Sequence, residues 1–504
     1  MTENPARRAS LLGLSAALVA GLGLAAGGVA PASAAPAPAA GLDWGACDPA
    51  VKPLPGQRCA TLSVPLDYAD PDGQRIRLAV SRIASARPDA RRGTLMVIPG
   101  GPGSSGVQRL AQKGAALAKE MDGAYDLVAF DPRGVGGSDK ASCGLPEADR
   151  WMVTLRSWPG ADGSVEANAA RSRRTAEACA RNGGAMLRGL TTANQVRDLD
   201  RLRQALGERR LSAWSVSYGT YVAAAYAETF PGRTDRWVLD SSNDPDPKRV
   251  ARGWLDGMAR GAEDRFPDFA AWAAHPDRGD GGLRLAARPE DVRPLVLGLA
   301  ARLDRAPRPT ATPGVSLDGT VLLQALQLAL YSDASFPAFA RLVADALDPE
   351  GEPVLPPELR GALPDDAAAV TIGVICNDAD WPRRSVRSFE RAVAADRARH
   401  PLTRGMTVNV TPCAYWKGGA VEKPVRVTDR GPSDILMIQN LRDPATPHSK
   451  GLEMRRALGD RARLVSVDHG GHGAYLGNGN ACGDRAVTRF LTEGVRPERD
   501  VLCR

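Results

Sequence analysis

The sequence predicts an α/β fold in which a mostly parallel sheet is interrupted by an inserted helical cap. Short apolar runs that stop at turns rich in Gly and Pro alternate with helical segments in the first half of the chain, which is typical of buried parallel strands. Similar runs return near the C-terminus, and Ala- and Leu-rich helical segments separate the two groups. The 504 residues, 43% hydrophobic and 24% charged, have the composition of a globular protein.

The N-terminus predicts an exported protein. Arg7 and Arg8 precede an apolar stretch, and residues 32–34 read Ala-Ser-Ala, the small-residue pattern of a signal-peptidase site. Two alternatives are a membrane-spanning helix, which the Gly- and Ala-rich composition disfavours, and a twin-arginine signal, which the Arg pair matches loosely. We predict a signal peptide over residues 1–34, a Pro- and Ala-rich lead-in over 35–60 that is a candidate propeptide, and a secreted, extracellular protein without stable membrane association after cleavage.

The first part of the sheet domain is predicted over residues 61–240. Apolar residues at 76, 78 and 80 alternate with other residues in the manner of a half-buried strand. The remaining predicted elements of this part are strands at 94–98, 125–130, 211–216 and 236–240 and helices at 192–206 and 220–229.

Strand patterns disappear over residues 241–365, which we predict to form the helical cap. The region from 366 to 504 is predicted to complete the sheet domain, because strand-like apolar runs return there. These runs lie at 371–375, 435–438 and 464–467.

Residues 215–219 read Ser-Val-Ser-Tyr-Gly and lie between a predicted strand and a predicted helix, where a nucleophile elbow belongs. The sharp turn of an elbow exposes the hydroxyl of its central residue, Ser217. Ser215 stands where glycine is usual, and the alternative for Ser217 is an ordinary helix N-cap. We predict Ser217 as a nucleophile.

A nucleophilic serine needs a general base, and with such an elbow the triad order is Ser, then Asp or Glu, then His. The base should follow the last predicted strand, which leaves His469 and His472 of the five histidines. Glycine flanks His472 on both sides and frees the backbone to present the ring, whereas His469 directly follows Asp468. We predict His472 as the base.

Asp443 follows the preceding predicted strand and begins the sequence Asp-Pro-Ala-Thr-Pro. We predict that it orients His472 and stabilises its imidazolium form; the alternative is a turn aspartate before proline. Asp434 lies at the wrong end of that strand and Asp240 ends an earlier strand, so both are weaker candidates.

The sequence Gly-Gly-Pro-Gly-Ser at residues 100–104 follows an early predicted strand. We predict that the backbone N–H groups of Gly101 and Tyr218 stabilise the developing oxyanion. A glycine-rich turn also suggests a nucleotide site, but neither Gly-x-Gly-x-x-Gly at the right place nor Gly-Lys-Ser/Thr is present. The predicted chemistry requires no metal ion and no organic cofactor.

The eight cysteines indicate disulfides, and the charge argues against a nucleic-acid partner. An even count in an exported chain predicts disulfides, and the spacing suggests four neighbour pairs among about a hundred pairings. A zinc site is disfavoured because no Cys-x-x-Cys occurs. The net charge of +7 is spread over scattered residues, so no nucleic-acid partner is expected. The cysteines are Cys47, Cys59, Cys143, Cys179, Cys376, Cys413, Cys482 and Cys503.

Together these motifs resemble the secreted bacterial tripeptidyl aminopeptidases, which are serine exopeptidases of the α/β-hydrolase fold related to the proline iminopeptidases. The resemblance extends to Phe-Asp-Pro-Arg-Gly at 130–134, Cys-Asn-Asp at 376–378 and the last two cysteines, and it departs at Ser215. It implies Ser217, Asp443 and His472 as the triad, peptides as substrates, and a cap that restricts access to peptide N-termini.

The predicted function is a secreted serine aminopeptidase that releases short peptides, tripeptides by the resemblance, through an acyl-enzyme on Ser217. A carboxylesterase or lipase-like hydrolase with the same triad is the alternative, because fold alone does not decide between them. A catalytically silent binding protein is disfavoured by the intact set of motifs.

An aminopeptidase must also bind an ammonium group, which requires a desolvated carboxylate near the cleft. Asp378, near the end of a predicted strand, is the candidate, and a capping or surface role is its alternative.

Overall fold

The computed structural model describes residues 41–249, 251–279, 281–417, 421–477 and 480–504. The predicted signal peptide and the first residues of the lead-in lie outside this part of the chain. Within it, no helix combines the length and the apolar character that crossing a membrane requires.

Twelve strands lie in the described residues, and ten of them form the sheet at the centre of the fold. The strands are β1 (Gly45–Ala46), β2 (Gln57–Pro65), β3 (Arg75–Ile83), β4 (Gly93–Ile98), β5 (Tyr125–Phe130), β6 (Leu211–Val216), β7 (Thr234–Asp240), β8 (Arg308–Pro309), β9 (Ser316–Leu317), β10 (Ile435–Arg442), β11 (Ala462–Gly470) and β12 (Val501–Cys503). Their order in the large sheet is β1-β2-β3-β5-β4-β6-β7-β10-β11-β12, and β8 pairs with β9 separately. The first three neighbouring pairs are antiparallel, and all pairs from β5 to β12 are parallel.

The central strands β4 and β6 are buried along their whole length because both faces of the sheet are covered. All six residues of β4 are buried. Met96 and Ile98 pack into one hydrophobic cluster, whereas Leu95 and Val97 pack into another on the opposite face. The fold is therefore the predicted α/β sheet with helices on both sides.

Fourteen α-helices, four of them in the predicted cap, accompany the sheet. They are α1 (Gly106–Met121), α2 (Met152–Leu155), α3 (Glu166–Asn182), α4 (Gly184–Arg188), α5 (Thr192–Ala205), α6 (Tyr218–Thr229), α7 (Ala251–Ala274), α8 (Pro289–Arg305), α9 (Gly319–Ala329), α10 (Phe336–Leu347), α11 (Asp365–Asn377), α12 (Val386–Arg399), α13 (His448–Leu458) and α14 (Ala481–Glu493) among the described residues. The α7–α10 helices share a hydrophobic cluster that also includes Trp158, Leu402 and Met406. This cluster, centred on helices of the predicted cap, thus includes side chains from outside the predicted 241–365 segment.

The strand predicted at 371–375 is wrong, because these residues form the middle of α11. Val370, Ile372 and Val374 have the branched side chains that favour strands, and this suggested a strand from the sequence. They lie instead on a largely buried helix that begins after Pro364 with two aspartates in its first turn, a start signal that the apolar run obscured.

The predicted lead-in also contributes to the sheet. β1 pairs with β2 in antiparallel register, and β2 begins at Gln57, before the predicted boundary at 60. The cysteines form the four neighbour pairs that the spacing suggests, Cys47–Cys59, Cys143–Cys179, Cys376–Cys413 and Cys482–Cys503, and none is free.

Candidate active site

The predicted site residues meet at one edge of the sheet. Parallel strands place their carboxyl ends at the same edge, where ligands bind in open α/β sheets. Gly101 follows β4, Ser217 follows β6, Asp443 follows β10 and His472 follows β11. Asp240 is the last residue of β7, between these strands.

Ser217 occupies a sharp turn between β6 and α6. Its backbone has φ 59° and ψ −128°, a conformation that L-residues adopt only when the surroundings enforce it. Its N–H donates to the carbonyl of Asp240 at 3.0 Å, and its carbonyl accepts from the N–H of Thr220 at 2.9 Å. By contrast, the hydroxyl of Ser215 is fully buried and donates to the carbonyl of Val238 at 2.8 Å. The geometry therefore distinguishes Ser217 as the elbow residue.

Glycines allow residues 100–104, the predicted oxyanion loop, to lie against the sharp turn at Ser217. A Cβ on Gly100 would lie 2.9 Å from the Cβ of Ser217, and one on Gly219 would lie 2.5 Å from the carbonyl oxygen of Pro99. Gly101 has φ 111°, and Tyr218 opens α6, where N–H groups have no acceptor within the helix. The two predicted oxyanion donors thus belong to segments that touch at Ser217.

Asp443 holds the ring of His472. Nδ1 of His472 lies 3.1 Å from Oδ1 and 3.0 Å from Oδ2 of Asp443, which is fully buried. Oδ1 accepts from the N–H groups of Ala445 and Thr446 at 2.8 and 2.9 Å, and Oδ2 accepts from the hydroxyl of Thr446 at 2.8 Å. These donors fix the carboxylate, and the ring nitrogen that remains for proton transfer is Nε2.

The loop that carries His472 is held by residues that the sequence did not reveal. The N–H of His472 donates to the carbonyl of Tyr331 at 2.9 Å, and the ring centroids of the two residues lie 5.1 Å apart, edge to face. The side-chain amide of Asn440 donates to the carbonyl of Gly471 at 2.9 Å. Tyr331 follows α9 in the cap, so only the folded chain brings it here.

Asp240, considered from the sequence as an alternative partner of the histidine, binds the backbone beyond it. Its carboxylate accepts from the N–H groups of Ala474 and Tyr475 at 2.8 and 3.0 Å. Complete burial raises the pKa of Asp240, and these two hydrogen bonds act against that rise. Asp240 therefore positions the loop, while Asp443 positions the ring.

His469, the alternative candidate for the general base, contacts other residues. Its Nδ1 accepts from the N–H of Gly470 at 2.8 Å, and its Nε2 lies 3.8 Å from the carboxylate of Asp333. The contacts of His469 thus leave the Asp443 carboxylate to His472.

Asp378 lies at the C-terminal end of α11, not at the end of a strand as the sequence suggested. Its oxygens accept from the N–H of Thr192 at 2.8 Å and from the hydroxyl of Thr192 at 2.5 Å. That hydroxyl lies 2.7 Å from the phenolic oxygen of Tyr218. Burial raises the pKa of Asp378 to about 7. These contacts place Asp378 behind the elbow helix and give both of its oxygens a donor within the protein.

Two families match the chain. Residues 93–291 match the family described as alpha/beta hydrolase fold, and residues 400–503 match the family described as TAP-like protein. The first match includes Ser217, and the second includes Asp443 and His472.

Three curated relatives extend over nearly the whole chain. A tripeptidyl aminopeptidase of Streptomyces lividans is 33% identical over 94% of this chain and 88% of its own length. The serine protease Hip1 of Mycobacterium tuberculosis is 28% identical over 92% of this chain and 91% of its own. Carboxylesterase B of Mycobacterium tuberculosis is 31% identical over 88% of this chain and 86% of its own.

Proposed function

Because the chain belongs to the family of the tripeptidyl aminopeptidases and is a serine hydrolase of the peptidase type, we propose that it is secreted and that it releases short peptides, tripeptides above all, from the N-termini of peptides. Ser217, Asp443 and His472 form the catalytic triad in this proposal. The observation that carries it is the paired contact of Asp443 with Nδ1 of His472, at 3.0 and 3.1 Å, on the same sheet edge as the elbow residue Ser217.

The proposed reaction proceeds through an acyl-enzyme. The hydroxyl oxygen of Ser217 attacks the scissile carbonyl while Nε2 of His472 takes its proton, and Asp443 stabilises the imidazolium. The N–H groups of Gly101 and Tyr218 bind the oxyanion of the tetrahedral intermediate. The C–N bond then breaks, and His472 gives the proton to the leaving amine. Water, activated by His472, hydrolyses the ester and regenerates Ser217.

Secretion is supported by the disulfides. All eight cysteines are paired, and such bonds persist in oxidising, extracellular surroundings. N-terminal sequencing of protein recovered from the culture medium tests this part of the proposal. We expect a mature N-terminus after Ala34 or later, and a protein retained in the cell with Met1 intact would contradict it.

Hydrolysis of a chromogenic tripeptide amide tests the peptidase specificity. Its N-acetylated twin and a simple p-nitrophenyl ester serve as comparison substrates, and Ser217→Ala serves as the inactive control. We expect cleavage of the free tripeptide amide and at least about a tenfold lower kcat/KM for the acetylated twin, since acetylation removes the charge-assisted hydrogen bonds that the ammonium group donates. Equal cleavage of both peptides would contradict an aminopeptidase.

A carboxylesterase is the second candidate function, and the similarity to Carboxylesterase B favours it. The same triad and oxyanion donors serve an ester, because both reactions pass through a tetrahedral oxyanion. Cleavage of the p-nitrophenyl ester without cleavage of either peptide would establish this alternative.

A further inference from the structure

A pocket of about 280 Å³ lies beside the N-terminal half of α7, outside the proposed triad and its supporting residues. The segment after α11 and the segment around 407–414 form its other walls. Its lining includes two aromatic residues, Trp381 and Phe389, and two arginines, Arg252 and Arg384. The volume is near the lower limit of ligand pockets, about 300 Å³, and suits one terminal residue of a larger ligand.

Two guanidinium groups in this pocket lack a carboxylate partner. Arg252 and Arg384 form no ion pair with any carboxylate of the described chain, and the Cζ atom of Arg252 lies 5.8 Å from the ring centre of Trp381. Burial lowers the pKa of Arg252, the positive charges of Arg384 and Arg249 lower it further, and the carboxylate of Asp246 acts against these effects. An anion between the two cations would relieve this repulsion.

The other charged residues of the pocket are already engaged or exposed. Arg249 pairs with Asp244 at 2.8 Å, and Lys450 pairs with Glu453 at 3.4 Å. Asp256 and Arg384 are both exposed residues of the lining. Outside the ion pairs just given, the lining therefore holds two cations, Arg252 and Arg384, against the single carboxylate of Asp256, and one positive charge is unmatched.

Unpartnered polar atoms lie in the same walls. The hydroxyls of Thr407 and Thr411 and the Nε of Arg252 are buried and have no hydrogen-bond partner, and Thr407 is only 7% exposed. Native proteins leave few buried polar groups unpaired. Their concentration around one pocket indicates that a ligand supplies the missing partners.

The pocket lies on the helix that also contacts the active site. Trp254, between two lining residues of α7, has its ring 5.5 Å from that of Tyr218. Eight residues after Gly253, α7 contacts the Asp443 loop at Gly261. Along the helix axis, the eight residues from Gly253 to Gly261 span about 12 Å. An extended peptide of about three to four residues has the same length.

We propose that this pocket binds the C-terminal residue of a short peptide substrate. The carboxylate lies between Arg252 and Arg384, an apolar or aromatic side chain packs against Trp381 and Phe389, and the threonine hydroxyls bond the terminal peptide group. The proposal takes from the proposed function only that peptides are the substrates, and it adds that the enzyme selects short peptides with a free C-terminus.

Direct binding to the Ser217→Ala protein tests this without turnover. The probes are a heptapeptide ending in phenylalanine and the same peptide with a C-terminal amide, measured by isothermal titration calorimetry. We expect the free acid to bind at least about tenfold more tightly, as a charge-assisted contact predicts. Arg384→Gln should reduce the acid to the affinity of the amide, and Arg383→Gln, an exposed neighbour outside the pocket, should leave the preference intact.

Thr407→Val provides a second variant that keeps the side-chain volume. It should weaken the acid and the amide by the same factor, because it removes a hydroxyl and no charge. Equal affinity of acid and amide for the Ser217→Ala protein, or an acid preference that survives Arg384→Gln, would overturn the proposal. Failure of the aminopeptidase assignment would appear elsewhere, as equal cleavage of free and N-acetylated tripeptide amides.

Discussion

Two buried aspartates hold the histidine loop by different atoms. Asp443 contacts the ring of His472, whereas Asp240 accepts two N–H groups beyond it. An amide in place of the first carboxylate keeps an acceptor for the local N–H groups but presents a donor to Nδ1 and selects the wrong tautomer. An amide in place of the second leaves one backbone N–H without an acceptor.

We therefore predict that Asp443→Asn lowers kcat by a factor on the order of 10⁴ with little change in thermal stability. Asp240→Asn should instead cost about 1–3 kcal/mol of stability. Steady-state kinetics and urea unfolding of both variants measure the two effects. A large loss of kcat in Asp240→Asn, together with wild-type kinetics of Asp443→Asn, would contradict this assignment and give the catalytic role to Asp240.

The raised pKa of Asp378 makes stability depend on pH. Burial raises this pKa from 3.8 to about 7, so the folded state holds a proton that the unfolded state releases between these values. The stability that this proton contributes is fully present below about pH 4 and is lost as the pH rises through about 7. Tm should therefore fall more steeply from pH 5 to pH 8 in the wild type than in Asp378→Asn. Parallel Tm profiles would show that Asp378 does not titrate in this range.

At the level of elements, helix α7 packs against the loop that begins at Asp443 through Gly257 and Gly261, which lie four residues apart. A Cβ on Gly261 would lie 2.6 Å from the carbonyl oxygen of Pro444 and 2.8 Å from that of Asp443. Both atoms belong to the backbone, so the loop or the helix has to move. Gly298 on α8 has ordinary space, with its nearest neighbour 3.8 Å away in the side chain of Arg302.

Gly261→Ala should cost about 1–3 kcal/mol through overpacking and should lower kcat, since a displacement of about 1 Å at a catalytic group costs roughly 10²-fold. Gly298→Ala should leave kcat unchanged and stabilise α8 by about 0.5–1 kcal/mol. Kinetics and thermal unfolding of both variants provide the comparison. Full activity of Gly261→Ala would remove α7 from the group of elements that position Asp443.

The sequence predicted the strands that end at the active site and misread α11. β4 and β6 are buried along their whole length and β10 over its first six residues, so apolar residues dominate these strands, which end at recognisable turns. α11 is also buried on most sides, which removes the polar face that gives a helix its period. A buried helix rich in branched residues therefore has the same local pattern as a strand.

The residues of the site likewise divide into those that a local sequence pattern predicted and those that it did not. Ser217, Asp443 and His472 each follow a strand, and strand order gives their positions along the chain. Tyr331 contacts His472 from the cap, and Thr371 contacts the oxyanion loop through the carbonyl of Pro102 at 3.4 Å. Such contacts depend on how the cap and α11 pack against the sheet, which no local pattern encodes.

Across the whole molecule, the disulfides close local loops rather than joining distant parts. The sequence separations are 12, 36, 37 and 21 residues, and each bond constrains the unfolded chain by about 2–4 kcal/mol. We predict that alkylation of the unreduced, denatured protein adds no mass and that reduction exposes eight thiols. Reduction should also lower Tm by several degrees. Any alkylation before reduction would contradict the four pairs.

Covalent labelling shows directly whether Ser217 is the nucleophile. Intact-mass spectrometry after treatment with a fluorophosphonate would compare the wild type with Ser217→Ala and Ser215→Ala. The two serines share one strand–turn unit, but the hydroxyl of Ser215 is buried against Val238. We predict one adduct on the wild type and on Ser215→Ala, and none on Ser217→Ala. An adduct that persists in Ser217→Ala would show that another residue is the nucleophile.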